Sequence, residues 1–389
     1  MQRQAGFMRH SRRTFAFGLA ALGLTSACST GGGALGPAAA AGVPDDLRPV
    51  PNAGYDAWVA AFKGRASAQG ISANTLAQGF RGAGYLPGVV KRDRNQTEFS
   101  RSLEDYLAIA ASDERVSKGR AAFARHRSTL NAIENRYGVA AEIVAAVWGL
   151  ESYFGERRGN VPVVSATSTL TFDGRRGAFF EKQLIAALKI LQNGDITADR
   201  MTGSWAGAMG HTQFIPTSYQ AFAVDFTGDG RRDIWSEDPS DALASTAAYL
   251  SRNGWTRGVK WGGEVGSIPA SAGSVIQPQA GGPQFVVTSN FRALKRYNNS
   301  DSYAIGVGHL ADRIAGGGPL RGSFPPDANG LTKDDRMALQ QRLTARGFDT
   351  DGTDGVIGPN SRKAISAYQA SVGLPATGEP SVDLLRRLQ

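Results

Sequence analysis

A mainly α protein, α+β once its smaller parts are counted, is predicted by three features of this 389-residue sequence. Through most of the chain, apolar residues recur at every third or fourth position, the period of a helix with one buried face. Residues 258–287 depart from that period: they are rich in glycine, alternate in polarity and lack long apolar runs, which predicts a small strand-containing insertion. Residues 316–330 consist of glycine, proline and polar residues and read as a linker, beyond which residues 331–389 carry a separate helical pattern, predicted as a three-helix module. The expected organisation is a targeting segment at 1–28, a tether at 29–50, a main domain at 51–315, the linker at 316–330 and the module at 331–389.

In the targeting segment, Arg3, Arg9, Arg12 and Arg13 precede an apolar run from Phe15 to Leu24, and small residues lead on to Cys28. The run is too short to remain as a membrane span. Ser11-Arg12-Arg13-Thr14-Phe15 resembles the bacterial twin-arginine export signal, which places the mature chain outside the cytoplasm, in the periplasm. Cys28 is the single cysteine, so neither an intramolecular disulfide nor a cysteine metal cluster can form. Its place after Thr25-Ser26-Ala27 resembles a lipobox, in which Cys28 would be lipidated and anchor the chain to the outer membrane. Thr25 stands where that pattern has an aliphatic residue, so ordinary signal-peptidase cleavage nearby is the other reading. Residues 29–50 would form the flexible tether.

Helices are then predicted at 55–69, 74–81 and 99–110, followed by one longer helix over 115–137. Residues 140–154 form an amphipathic helix, 160–172 a turn and a short apolar helix, 179–191 a further helix, and 241–251 another. In the module, helices are expected at 333–345, 361–371 and 382–388 around a Gly-Asp loop at 349–359.

The helix at 140–154 carries one anomaly. Glu151 falls on the apolar stripe of Val144, Val147 and Trp148, whereas Glu142 falls on the opposite, solvent side. A carboxyl group on a buried face has a raised pKa and can hold a proton near neutral pH, as a general acid must. Pairing with a buried arginine, or capping a neighbouring helix, is the structural alternative. A glycine-rich stretch at 203–214 lets backbone approach a ligand closely and offers Ser204, Trp205 and Gln213 as polar and flat contacts; read alone it is also an ordinary turn. Asp225, Thr227, Asp229 and Arg231 occupy alternate positions of a loop similar to the first half of an EF-hand, with Gly230 at the turn. Ser236 stands where the closing glutamate belongs, so Glu237, Asp238 or Asp241 would have to close a longer loop around a structural calcium or sodium ion. The other reading is an Asx-rich turn.

The formal net charge of +9 and pI near 9.8 favour acidic partners: nucleic acid, anionic lipid or an anionic wall polymer. The basic residues gather in nothing longer than short pairs, which argues against nucleic acid.

Four motifs in order together resemble the lytic murein transglycosylase B family. They are Trp148-Gly149-Leu150-Glu151-Ser152-Tyr153-Phe154-Gly155, the 203–210 stretch with Gln213 and Pro216, Val224 to Gly230, and Arg296-Tyr297-Asn298-Asn299-Ser300. Leu339-Gln340-Gln341-Arg342-Leu343 and Asp354-Gly355-Val356-Ile357-Gly358-Pro359 resemble the peptidoglycan-binding domain type 1. The resemblance implies a lysozyme-like catalytic domain that cleaves between N-acetylmuramic acid and N-acetylglucosamine to leave 1,6-anhydromuramoyl ends. It also implies Glu151 as sole catalytic residue, acid and then base, with no cofactor needed for the chemistry. Ser204 and Gln213 would bond the sugar, Tyr297, Asn298 and Tyr303 would line the subsites, and Tyr106, 45 residues before Glu151, is placed similarly. The implied partners are glycan strands of peptidoglycan and other cell-wall enzymes. A hydrolytic muramidase using Asp173 or Asp225 as base, and a non-catalytic wall-binding scaffold, are the competing readings.

Overall fold

The computed structural model describes residues 43–95 and 101–389. The export signal, Cys28 with its lipidation, most of the tether and the start of the helix expected at 99 lie outside the described residues. The chain builds α1 (Ala53–Ala68), α2 (Ala73–Gly79), α3 (Pro87–Arg94), α4 (Leu103–Ala110), α5 (Asp113–Arg125), α6 (Arg127–Tyr137) and α7 (Ala141–Ser152). After the short strand β1 (Val161–Pro162) come α8 (Val163–Asp173) and α9 (Gly177–Gln192), then β2 (Thr202–Gly203), α10 (Pro216–Phe222) and α11 (Ser240–Arg252). Strands β3 (Gly262–Glu264), β4 (Ser274–Ile276) and β5 (Phe285–Val287) make the predicted insertion, an antiparallel sheet in the order β3-β5-β4. Helices α12 (Ser289–Tyr297) and α13 (Asp301–Ile314) close the main domain, and α14 (Lys333–Ala345), α15 (Pro359–Ser371) and α16 (Val382–Arg387) form the module.

Many helix starts are encoded locally. Asn52, Ser72, Ser102, Ser112, Thr288, Ser300, Thr332 and Ser381 each accept a hydrogen bond from a first-turn backbone N–H. The expected helix over 115–137 is two helices meeting at His126. Both pack on α7, which has 12 residues, and a straight rod of the expected length would overshoot it. The amphipathic reading of 140–154 is also corrected. Ile143 through Gly149 are buried all round, because α5, α6, α11 and α13 enclose the helix. Only Glu142, Leu150 and Glu151 are partly exposed on it.

Two cores share the main domain. One surrounds α7 and α13; the other lies between α1, α2, α8, α9 and α10. Tyr249 and Tyr297 pack against both, so the seam between the cores runs past the end of α12.

The module has its own core of Leu331, Leu339, Leu343, Ile365, Leu384 and Leu388. It is also fastened to the main domain. The Arg336 side chain, 4% exposed, bonds Glu104 at 2.6 Å and Asp105 at 3.3 Å on α4, Asp327 at 3.4 Å in the linker, and the carbonyls of Gly355 and Leu331. The insertion reaches the same turn, since Gln279 accepts the Glu104 backbone N–H at 3.1 Å. Breaking a buried pair leaves an unpaired charge and costs about 3 to 5 kcal/mol. Arg336→Met should therefore lower stability by that order in urea unfolding, with Glu104→Gln costing clearly less in the Arg336→Met background than alone. Additive effects would show that the contact carries no coupling.

Candidate active site

Glu151 stands one residue before the C-terminus of α7, where the chain leaves the helix abruptly. Tyr153, Phe154 and Gly155 follow with φ of 54°, 59° and 91°. Two successive non-glycine residues in the left-handed region are strained, and the surrounding packing maintains them. The Phe154 ring folds back over Gly149, where a Cβ would lie 2.5 Å from Phe154 Cζ, so only glycine allows this close turn. Ser152 donates to the His211 carbonyl at 2.5 Å and accepts the Gly155 N–H at 3.0 Å, which ties the turn to the glycine-rich loop.

Glu151 is partly exposed as a residue at the end of this otherwise buried helix, while its carboxyl group is enclosed by protein atoms and accepts a 2.6 Å hydrogen bond from the Tyr303 hydroxyl. Burial among protein atoms pushes its pKa up to about 7, against which the Tyr303 bond, made to the charged form, acts in the lowering direction. Burial and the Glu151 charge together raise the Tyr303 and Tyr297 phenols far above their ordinary values, so both remain donors. Among the described residues, Glu151 is thus neither paired with an arginine nor a cap.

Three elements bring the other expected residues together. Tyr303 in α13 and Tyr297 at the end of α12 stack with ring centres 6.4 Å apart and planes 7° from parallel. The Tyr297 hydroxyl donates to the Thr212 carbonyl at 2.6 Å, fastening the glycine-rich loop to the tyrosine pair. Asn298 follows, its buried Oδ1 lacking a hydrogen-bond partner among the described residues: an acceptor suited to an N–H donor. Tyr106 enters from α4 against Gly306, where a Cβ would come within 2.7 Å of its ring. Burial raises its phenol first and the Glu151 charge second, which puts the two groups within electrostatic reach.

Gln213 has φ of 54° and donates from Nε2 to the carbonyls of Arg158 at 3.0 Å and Gly210 at 2.9 Å. Both amide hydrogens hold the loop, leaving its oxygen as the group to offer a ligand. Ser204 is likewise engaged, its Oγ accepting the Ala208 N–H at 3.1 Å. His211, which carries no signal in the sequence, is the centre of a further network. Trp148 Nε1 donates to His211 Nδ1 at 3.1 Å, and His211 Nε2 lies 2.7 Å from the Ser236 carbonyl. Burial lowers the His211 pKa to about 4, so the ring is neutral and Nε2 carries the hydrogen. Arg158 bonds the Trp235 and Ser236 carbonyls and Glu237. No spacing or periodicity marks these contacts, which join residues far apart in sequence.

The acidic loop converges as well. Carboxylate oxygens of Asp225, Asp229 and Asp241 lie within 4.8 Å of one another. Asp241, in the first turn of α11, supplies the acid that position Ser236 lacks; Glu237 is taken by Arg158, and Asp238 bonds Ser240. Burial raises the Asp241 pKa, three backbone N–H bonds oppose it, and the Asp225 charge adds to the rise. Thr227 bonds Asp225 with its hydroxyl, and the Arg231 N–H bonds Asp229.

A transglycosylase SLT domain family profile matches residues 54–272 and 266–312, and a peptidoglycan binding domain profile matches 332–388. The chain is 31% identical over 234 residues to membrane-bound lytic murein transglycosylase B of Escherichia coli (strain K12), a match that covers 52% of this chain and 64% of that relative's length. Among solved structures it is similar to SltB3 of Pseudomonas aeruginosa, determined with NAG-anhNAM-pentapeptide, at 43% identity and a TM-score of 0.67, covering 87% of this chain and all of that one. SltB3 has also been determined with NAG-NAM-pentapeptide. The Escherichia coli lytic transglycosylase Slt35, determined with calcium, is 26% identical with a TM-score of 0.58, covering 68% of this chain and 93% of that one.

Proposed function

The chain belongs to the SLT family of lytic transglycosylases, and on that footing we propose that it cleaves the MurNAc-GlcNAc β-1,4 bond of peptidoglycan to leave 1,6-anhydromuramoyl ends, with Glu151 as acid and then base. The observation that carries this reading is a single carboxyl group whose pKa burial raises to about 7, held in place by Tyr303. Protonated Glu151 gives its proton to the glycosidic oxygen as the C1–O bond breaks. The carboxylate then accepts the proton of the muramoyl C6 hydroxyl as that oxygen bonds C1, which restores the acid without water. Ordinary glycosidases need a second carboxylate. Among the described residues, burial and Tyr303 are the influences on the Glu151 pKa, and no other carboxylate acts on it. Asp173, proposed as a hydrolytic base, is held by Arg94 at 2.5 Å, and Asp225 belongs to the acidic loop. SltB3 bound to an anhydro-muramoyl compound supports the same product here.

The stacked Tyr297 and Tyr303 suit the apolar faces of pyranose rings, while Asn298, the Gln213 oxygen, Ser204 and Tyr106 would read polar edges. The module would hold the enzyme on the wall, in the periplasm, with lipidated Cys28 as a membrane anchor and other wall enzymes as further partners. The clustered carboxylates of Asp225, Asp229 and Asp241 fit a calcium ion, and Slt35 with calcium supports that assignment. The ion would neutralise three clustered carboxylates and stabilise the loop; the cleavage chemistry needs none.

Digestion of purified sacculi should give anhydro ends by mass, and Glu151→Gln should reduce cleavage by at least ~1000-fold while sacculus binding persists. Water-added reducing ends would refute the transglycosylase assignment. Millimolar calcium should raise stability by about 2 to 3 kcal/mol once ~100-fold above Kd, and Asp241→Asn should remove the gain. An unchanged melting temperature with calcium would exclude the ion site.

A further inference from the structure

Arg115, in α5, is 5% exposed, yet its buried Nε has no hydrogen-bond partner and no ion pair closes on its guanidinium among the described residues. An unpaired buried cation is costly, so such a group either serves a ligand or is displaced by selection for stability. Its contacts do not neutralise it. The Tyr153 ring lies 5.0 Å from its Cζ, and the Arg157 guanidinium and Lys118 ammonium lie 4.5 Å from the same ring. Nearby carboxylates are committed elsewhere: Glu114 accepts the Tyr153 hydroxyl at 2.5 Å, and Glu156 is paired with Lys118 at 2.6 Å. Arg157 is exposed and adds a second cation. The Tyr153 ring that it faces belongs to the turn two residues after Glu151, so the cation lies beside the turn that carries the reacting carboxyl group, and the Tyr106 phenol is within electrostatic reach of both.

The geometry points to Arg115, assisted by Arg157, as an anion subsite of the groove that takes a carboxylate of the peptide carried on the muramoyl sugar. This rests on the transglycosylase reading. The backbone sugars of that substrate are N-acetylated and neutral, so its acidic groups are on the peptide, and a buried guanidinium gains most from a carboxylate that enters without its water. The Tyr153 ring beside the guanidinium holds it in place without using its N–H groups, which remain for that anion.

The test uses three soluble disaccharide ligands: one with an acidic stem peptide, one with the same stem amidated at its carboxylates, and one without peptide whose muramoyl lactyl carboxyl is capped as a simple amide. Affinities are measured by calorimetry for the Glu151→Gln protein, which does not cut, alone and combined with Arg115→Gln or Arg115→Lys. Arg115→Gln should weaken the acidic-stem ligand by roughly 10- to 100-fold, the weight of one charge-assisted hydrogen bond, and leave the other two within about twofold. Arg115→Lys should keep most of the affinity. Equal losses on all three ligands, or no loss on the acidic one, overturn the subsite. If Arg115→Gln does not fold, the amidated stem carries the test on the Glu151→Gln protein, where equal affinity for acidic and amidated stems overturns it. Failure of every ligand to bind, the peptide-free one included, overturns the transglycosylase reading and the subsite with it.

Discussion

Holding one carboxyl group at the end of a helix that is buried on every side is the constraint the rest of this structure serves. Leu150 and Glu151 are the partly exposed residues near that end of α7, and everything before them from Ile143 is inside. An ionised glutamate there loses much of its hydration, and a single phenolic hydrogen bond returns part of it. The balance leaves the group near neutrality, where a proton can be given and taken back. The strained turn of Tyr153 and Phe154 is part of the same device, since it ends α7 immediately after the acid and turns the Phe154 ring under Gly149.

The groups around that carboxyl come from parts of the chain that do not otherwise belong together. Tyr297 and Tyr303 sit where the two cores of the main domain meet, and Tyr297 fastens the glycine-rich loop through Thr212. The neutral His211 links the same loop to Trp148 on α7 and to the Ser236 carbonyl, which follows the acidic loop. On α4, Glu104 and Asp105 receive Arg336 from the C-terminal module just before Tyr106. The C-terminal module, the insertion and the residues around Glu151 therefore share one short helix, which makes the module part of the framework of the site.

Much of this was legible beforehand, for physical reasons that differ from element to element. Helix periodicity and the strand-containing insertion follow from local pattern, and the carboxyl on an apolar stripe makes Glu151 stand out, although that stripe alone leaves a structural role open and the catalytic role comes from the surrounding motifs. The helices carrying Tyr297 and Tyr303 were not read as helices, although Thr288 and Ser300 supply their N-caps. The division at His126 and the all-round burial of α7 depend on neighbours distant in sequence, which periodicity within one segment does not register. Of the three acids that could close the acidic loop, Asp241 is the one whose carboxylate lies beside those of Asp225 and Asp229, because α11 starts there. Arg115 has no sequence signature, because being buried without a counter-ion is a property of its surroundings.

The account depends most directly on the protonation of Glu151. A carbon-13 titration of glutamate carboxyl groups, with the Glu151 signal identified by its loss in Glu151→Gln, should give a pKa of about 7. The value should rise further in Tyr303→Phe, since that change removes a bond that favours the charged form. A carboxyl titrating at its ordinary 4.5, or one that moves downward when the Tyr303 hydroxyl is lost, would contradict the proposal that burial prepares this residue to act as the acid.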